Sequence, residues 1–146
     1  MPPLTIVIVD DAPDFRQIVR AILADLPGVV TIVGEAADGE EASTVVLRER
    51  PDIVITDLMM PRLNGAELTR RIRQELPQTK IILMSSYTED AYRLMASDSG
   101  ADAFVSKRVI HEALVPALRD LIRRISGGSG PLPPSAGTSP ASAASK

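Results

Sequence analysis

The chain has 146 residues, 45% hydrophobic and 24% charged, with a formal net charge of -3, which suits one globular domain with a real core. An acidic balance and only 3% aromatics leave neither a phosphate-binding footprint nor a base-stacking platform, so no direct nucleic-acid contact is expected. Cysteine is absent, which excludes disulfides and thiolate chemistry, and the apolar run Leu4 to Val9 is too short to span a bilayer and has no basic leader, so a cytoplasmic protein without a membrane partner is expected.

Leu4 to Val9 (LTIVIV) is unbroken and β-favouring, the pattern of a central parallel strand, and it exits into Asp10 and Asp11. Pro13 suits a first helical turn. Phe15, Ile18, Val19, Ile22, Leu23 and Leu26 then form one apolar face of a helix that Pro27-Gly28 ends. Val29 to Ala36 is a second strand, less purely apolar and therefore expected at an edge. Asp38-Gly39 turns into a helix to about Arg50 with a face of Ala42, Val45 and Val46. Ile53 to Thr56 is the third strand and runs into Asp57, with Leu58, Met59, Met60 and the breaker Pro61 beyond it. Asn64-Gly65 opens a helix with Leu68, Ile72 and Leu76 at four-residue spacing, closed by Pro77. Lys80 to Met84 is the fourth strand, leading into Ser85 and Ser86. Thr88 to Ser99 reads as a helix with a thin face (Ala91, Leu94, Met95), followed by Gly100. Ala103 to Val105 is a short fifth strand ending near Lys107. The last helix carries Leu114, Leu118, Leu121, Ile122 and Ile125. Pro116 lies inside that pattern and removes a hydrogen bond, so a late start near Glu112 to Val115 is predicted.

After Ile125 the composition shifts to almost pure Gly, Pro, Ser and Ala. Such a stretch buries too little to offset its ordering entropy, so the domain is set at residues 3–125, with 126–146 a disordered tail or a linker. No internal repeat is evident. Five β-α units in strict alternation predict a doubly wound α/β domain, a five-stranded parallel sheet with helices on both faces.

In such a sheet the carboxyl ends of the strands converge on the ligand-binding edge. There the sequence places Asp10, Asp11, Asp57, Ser85 and Lys107. Each has a plainer reading: a helix cap for Asp10-Asp11, a loop carboxylate for Asp57, a turn residue for Ser85, a solvated charge for Lys107. Four strand ends all bearing matched groups argue for a site. Three carboxylates held together need a cation, and an all-oxygen site with few protein ligands suits Mg2+ better than Ca2+. A metal facing a lysine clamps an anion, and the anion such clamps serve is a phosphoryl group. Asp57 is then placed as the nucleophile, giving an aspartyl phosphate.

The segments VIVDD (Val7 to Asp11), PDIVITDLMMPRLNG (Pro51 to Gly65), ILMSS (Ile82 to Ser86) and GADAFVSK (Gly100 to Lys107) resemble the response-regulator receiver domains of two-component systems, and the resemblance covers residues 4–125. It implies the flavodoxin-like strand order 2-1-3-4-5. It implies Asp57 as phosphoacceptor, with Asp11, Asp57 and the Met59 backbone carbonyl as direct Mg2+ ligands and Asp10 acting mostly through water. Ser85 and Lys107 would contact the phosphoryl group, and Phe104 matches the switch aromatic. Arg108 stands where many receivers have proline after a cis peptide, so no cis bond is expected. That variant resembles receivers joined to helix-turn-helix output domains. Tyr87 and Met59 crowd the entrance and are expected to slow attack by water; a partly exposed tyrosine with no kinetic role carries equal weight. His111, the only histidine, is assigned no role.

Three functions follow for weighing. The first is a phosphorylation-dependent switch, fed by a histidine kinase or a phosphotransfer protein. It would act on a downstream protein through the fourth helix, fifth strand and fifth helix, a face on which receivers also form homodimers, and it would be no enzyme beyond its own phosphotransfer and slow autodephosphorylation. The second is the receiver part of a DNA-binding transcription regulator, with 126–146 as linker. The third, a metal-dependent phosphohydrolase, needs a second carboxylate close after Asp57, and Leu58, Met59 and Met60 supply none.

Overall fold

The structure, a computed structural model, describes residues 2–87 and 89–126. Of the segment 126–146, only Ser126 is described, as the last residue of a helix, and the expected tail lies outside the described residues. The elements run β1 (Leu4–Val9), α1 (Pro13–Leu23), β2 (Val30–Ala36), α2 (Gly39–Glu49), β3 (Ile53–Asp57) and α3 (Gly65–Glu75). They continue with β4 (Lys80–Ser85), α4 (Asp90–Ser99), β5 (Ala103–Ser106), a 3-10 turn at Lys107–Val109, and α5 (Ile110–Ser126). The sheet is parallel throughout in the order β2-β1-β3-β4-β5, so the doubly wound fold and its strand order are as expected.

The period-2 alternation of a strand divides the unbroken apolar runs between two cores. Ile6, Ile8, Ile53, Ile55, Ile82 and Met84 face α1 and α5, whereas Val7, Val9, Val54, Ile81 and Leu83 face α2, α3 and α4. Both faces being covered, these strands have no need of polar positions. β2 pairs only with β1 and its residues are mostly half-buried, the edge placement its mixed sequence predicts. Side chains close two helix starts: Asp38 accepts from Glu41 N, and Asn64 with Glu67 forms a capping box.

Three expectations need correction. α1 stops at Leu23; Leu26 is still buried, but from the turn that follows, where its N–H reaches the Leu23 carbonyl. The buried side of α4 is Tyr92, Met95, Ala96 and Ser99, an i, i+3, i+4, i+7 stripe, whereas Ala91 is exposed and Leu94 is 62% exposed. Ser99 is tolerated inside because its hydroxyl donates to the Ala96 carbonyl at 2.6 Å.

The third concerns α5, which starts at Ile110 rather than near Glu112 to Val115 and carries Pro116 in its interior. Ile110 and Leu114 are buried, and burying each gives about 1.5–3 kcal/mol, which together offsets the roughly 3 kcal/mol of an interior proline. The ring lies on the exposed side with Glu112, whose carbonyl loses its donor. Burial wins over local propensity there.

Candidate functional site

Parallel pairing carries four strand ends to one edge. Asp10 follows β1, Asp57 closes β3, Ser85 closes β4 and Lys107 follows β5. The register sets Val9 beside Thr56, Asp57 beside Met84 and Ser85 beside Ser106, so Asp10 and Asp57 stand level, Ser85 one residue further along and Lys107 two. Beyond Asp57 the chain is tied down closely. Leu58 N donates to the Met84 carbonyl at 2.8 Å, and Gly65 N to the Leu58 carbonyl at 2.8 Å. A Cβ on Gly65 would stand 2.3 Å from the Asp57 carbonyl oxygen and 2.9 Å from Leu58 Cα, so only glycine lets α3 begin this near the aspartate.

The charges are concentrated. Lys107 Nζ lies 2.6 Å from Asp10 Oδ2 and 3.0 Å from Asp57 Oδ2, with both carboxylates buried. Asp10 Oδ1 accepts from Ala12 N at 2.8 Å, and Asp57 Oδ1 from Met59 N at 3.2 Å. Asp10 therefore closes a tight turn; the residue in the cap position of α1 is Ala12, which makes no side-chain cap. Burial pushes the Asp57 carboxyl above its ordinary value; Lys107 pulls the other way without cancelling it, and Asp10 adds to the rise. Burial opposes the charge of Lys107, yet the two carboxylates win and raise it above the ordinary lysine value. The ammonium stays charged.

Asp10, Asp11 and Asp57 each bring a carboxylate oxygen within 4.8 Å of the others, with Asp11 exposed. Asp10 Oδ2 is fully enclosed and makes no directed hydrogen bond; its ion pair with Lys107 is close but not aligned as one. An all-oxygen cluster with an undersatisfied buried oxygen and one ligand open to water fits a hard divalent cation such as Mg2+.

Ser85 is buried, and its Oγ accepts from Tyr87 N at 2.9 Å. Tyr87, 49% exposed, stacks on Tyr92 in the first turn of α4 with ring centroids 5.1 Å apart. Met59 is 40% exposed. Phe104 is half-buried against the α2–α4 core, with the Arg93 guanidinium 5.5 Å from its ring centroid. His111 is exposed at the start of α5. No cis peptide occurs among the described residues, as Arg108 led one to expect.

Sequence reasoning missed two neighbours of the site. Phe15, read only as a core position of α1, also has its ring centroid 4.3 Å from Lys107 Nζ. Arg16 donates to the Asp10 backbone carbonyl at 2.6 Å and to Glu35 Oε1 at 3.1 Å, bracing the end of β1 against β2. The available signal was position: both lie in the first helical turns directly after the paired aspartates. Among the described residues no helix is long and apolar enough to cross a membrane.

Comparison with known proteins places this geometry. The family model of the response regulator receiver domain matches residues 6–119. The chain is 34% identical over 116 residues to the transcriptional regulatory protein DegU of Brevibacillus brevis, covering 80% of this chain and 49% of that protein. It is 38% identical over 118 residues to the transcriptional activator protein ExaE of Pseudomonas putida, covering 80% and 54%. The chain spans about half the length of the curated relatives it matches. Among solved structures, a LuxR-family two-component response regulator from Aurantimonas sp. superposes with a TM-score of 0.77 at 34% identity, over 82% of this chain and 85% of that one. The receiver domain of AraT, a response regulator from Geobacillus stearothermophilus, gives 0.79 at 27% identity, over 87% and 98%. With the family match running from the first strand into the last helix, the chain belongs to the response-regulator receiver domains of two-component systems.

Proposed function

We propose that the chain is a switch in which Asp57 accepts a phosphoryl group from a histidine kinase or a phosphotransfer protein. The observation that carries this is the single ammonium of Lys107 shared by two buried carboxylates, Asp10 and Asp57, at the carboxyl edge of the sheet. An Asp57 oxygen attacks phosphorus, the bond from phosphorus to the donor breaks, and the leaving group departs with the electron pair. The nucleophile is already an anion, so no general base is required. Lys107 stays protonated and neutralises charge on the phosphoryl oxygens. Ser85 Oγ is an acceptor from Tyr87 N, which leaves its own proton to donate to one of those oxygens.

Asp11, Asp57 and the Met59 backbone carbonyl would hold Mg2+ directly, with Asp10 acting through water. The ion would supply a fixed positive charge that draws the phosphoryl group in and offsets repulsion among the carboxylates. Drawing Ser85 toward the phosphoryl group pulls on the Tyr87 backbone and so on the start of α4, while Phe104 repacks inward. The output is a changed face of α4, β5 and α5, where Leu94 is 62% exposed. That face serves a downstream protein or a second copy of the chain. In this reading the chain catalyses only its own phosphotransfer and slow hydrolysis, and it works in the cytoplasm without touching nucleic acid or membrane.

The test is intact mass after incubation with Mg2+ and a small phosphodonor. One phosphoryl adduct is expected, absent from Asp57→Asn and lost when Mg2+ is removed; an adduct that persists in Asp57→Asn rejects the assignment. A second reading, the receiver half of a transcription regulator, is favoured by the span over its relatives, whose names include a transcriptional regulatory protein and a transcriptional activator. The in-frame coding sequence beyond residue 146 decides it, a DNA-binding fold there supporting it and a stop codon excluding it.

A further inference from the structure

We propose that Phe15 is a positioning residue for this phosphotransfer, its ring holding the Lys107 ammonium at the junction of Asp10 and Asp57. This rests on the reading of Asp57 as phosphoacceptor. A lysine ends in a compact charge on a four-carbon stem, with nothing in its own chemistry to fix where the charge sits. Here the stem reaches from the turn after β5 to the ends of β1 and β3, and the side chain is only 13% exposed. Two of its neighbours are the carboxylates at 2.6 and 3.0 Å. A third is the Phe15 ring, with its centroid 4.3 Å from Nζ, inside the range in which a ring quadrupole attracts a cation.

The ring is itself held. Phe15 sits in the first turn of α1, its N–H donating to the Ala12 carbonyl at 3.1 Å, and the next residue, Arg16, grips the Asp10 carbonyl. Phe15 packs at the rim of the core on the α1 and α5 side, so it is anchored by apolar contacts and presents its ring to the charge. A ring differs from a third carboxylate in a way that suits the reaction. It favours the ammonium without forming a directed bond, so Nζ can pass from Asp57 to a phosphoryl oxygen while one neighbour stays constant. Leucine at this position would fill the core equally well and leave Nζ to solvent on that side.

Progressive fluorination of the ring separates the two roles, because it drains the quadrupole with little change of shape. The full chain is prepared with para-fluoro-, difluoro- and trifluorophenylalanine at position 15, and the rate of phosphoryl uptake is measured with Mg2+ and a small phosphodonor. The logarithm of the rate is expected to fall steadily along the series, to about a tenfold loss at the last member. Thermal midpoints should stay unchanged, and Phe15→Tyr should hold the wild-type rate. In a Lys107→Met background the same series should be flat. A flat series in the native background overturns the inference, as does a series whose midpoint falls in step with the rate. If the unsubstituted protein takes up no phosphoryl group, or Asp57→Asn takes one up, the reading of the site fails and this inference with it. A flat series on a protein that labels normally at Asp57 removes the role of Phe15 alone.

Discussion

Lys107 Nζ stands 3.0 Å from Asp57 Oδ2 while lying 2.6 Å from Asp10 Oδ2, so one cation neutralises two buried anions. Lys107→Met leaves both carboxylates facing each other in a poorly solvated site. Removing one partner of a buried ion pair costs about 3–5 kcal/mol, and that loss is expected in metal-free buffer at neutral pH. The deficit should shrink in acid, because a protonated carboxyl no longer needs the ammonium. The raised Lys107 means that its own contribution to the wild type is complete below the ordinary lysine value and is lost only as pH rises through the higher, folded one. Urea unfolding at neutral and mildly acidic pH measures the deficit and its shrinkage in acid; a deficit that does not change between them is incompatible with this account.

Asp57 gives the opposite result on removal. Burial raises its carboxyl, so its contribution to stability is complete below the ordinary carboxylate value and is lost as pH rises through the folded value. At neutral pH the ionised Asp57 is therefore a net cost. Asp57→Asn keeps the shape and leaves Lys107 paired with Asp10, and it is expected to be more stable than the wild type by about 1 kcal/mol without metal. The gain should vanish in acid. Thermal midpoints across pH in the presence of a chelator test it, and a variant less stable at neutral pH would mean that the pull of Lys107 outweighs burial.

These energetics lie closer to the sequence than the helix ends do. The five strands, their exits and the carboxylates and lysine that meet there were legible because a buried parallel strand is an unbroken apolar run and the polar group stands at its end. What was not legible came from competition between local and tertiary terms. Pro116 argued for a short α5 until the burial of Ile110 and Leu114 entered the balance. Leu94 looked like a core residue by hydropathy, yet the stripe Tyr92, Met95, Ala96 and Ser99 faces inward, with the Ser99 hydroxyl satisfied by the Ala96 carbonyl. Phe15 fits the apolar face of α1, and no pattern in one helix reports that a lysine from the other end of the chain comes to rest beside its ring.

Binding of Mg2+ among Asp10, Asp11 and Asp57 should stabilise the fold by mass action. With free ion at ten times its dissociation constant the gain is about 1.4 kcal/mol. Asp11 is exposed, so Asp11→Ala is expected to change metal-free stability by less than about 0.5 kcal/mol while abolishing most of the Mg2+-dependent gain. A thermal-shift titration on the two proteins reads this directly. Equal shifts would place the ion elsewhere.

Tyr87 and Met59 are both exposed, and their backbone N–H groups donate to Ser85 Oγ and Asp57 Oδ1. If they obstruct attacking water, Tyr87→Ala and Met59→Asn should each shorten the life of the phosphorylated protein, by about tenfold for roughly 1.4 kcal/mol of lost barrier. Tyr87 has a second tie through its stack on Tyr92, so Tyr92→Leu separates the effects. Loss of the stack alone should leave hydrolysis unchanged if obstruction by the Tyr87 ring is what matters. Decay of the intact-mass adduct after removal of the phosphodonor gives all three rates, and three unchanged rates would leave both residues without a kinetic role.

Gly65 sets the position of Asp57 from behind. By intrinsic propensity alone Gly65→Ala should favour α3 by up to about 1 kcal/mol. Its Cβ, however, would lie 2.3 Å from the Asp57 carbonyl oxygen and 2.9 Å from Leu58 Cα, both backbone atoms that cannot swing aside as a side-chain tip does. Overpacking of that kind costs about 1–3 kcal/mol, so the clash wins and the variant is expected to be destabilised. Relief requires the end of β3 to shift, and a misplacement of about 1 Å at a reacting group is worth on the order of a hundredfold in rate. Phosphoryl uptake should therefore fall far more than stability does. Asn64→Ala is the control, since it removes the capping box of the same helix, at about 1 kcal/mol, without pressing on Asp57. Uptake rates and urea midpoints on the two variants should diverge, with Asn64→Ala unstable but fast and Gly65→Ala slow; two variants equally fast at matched stability would show that the close approach of α3 does not position the aspartate.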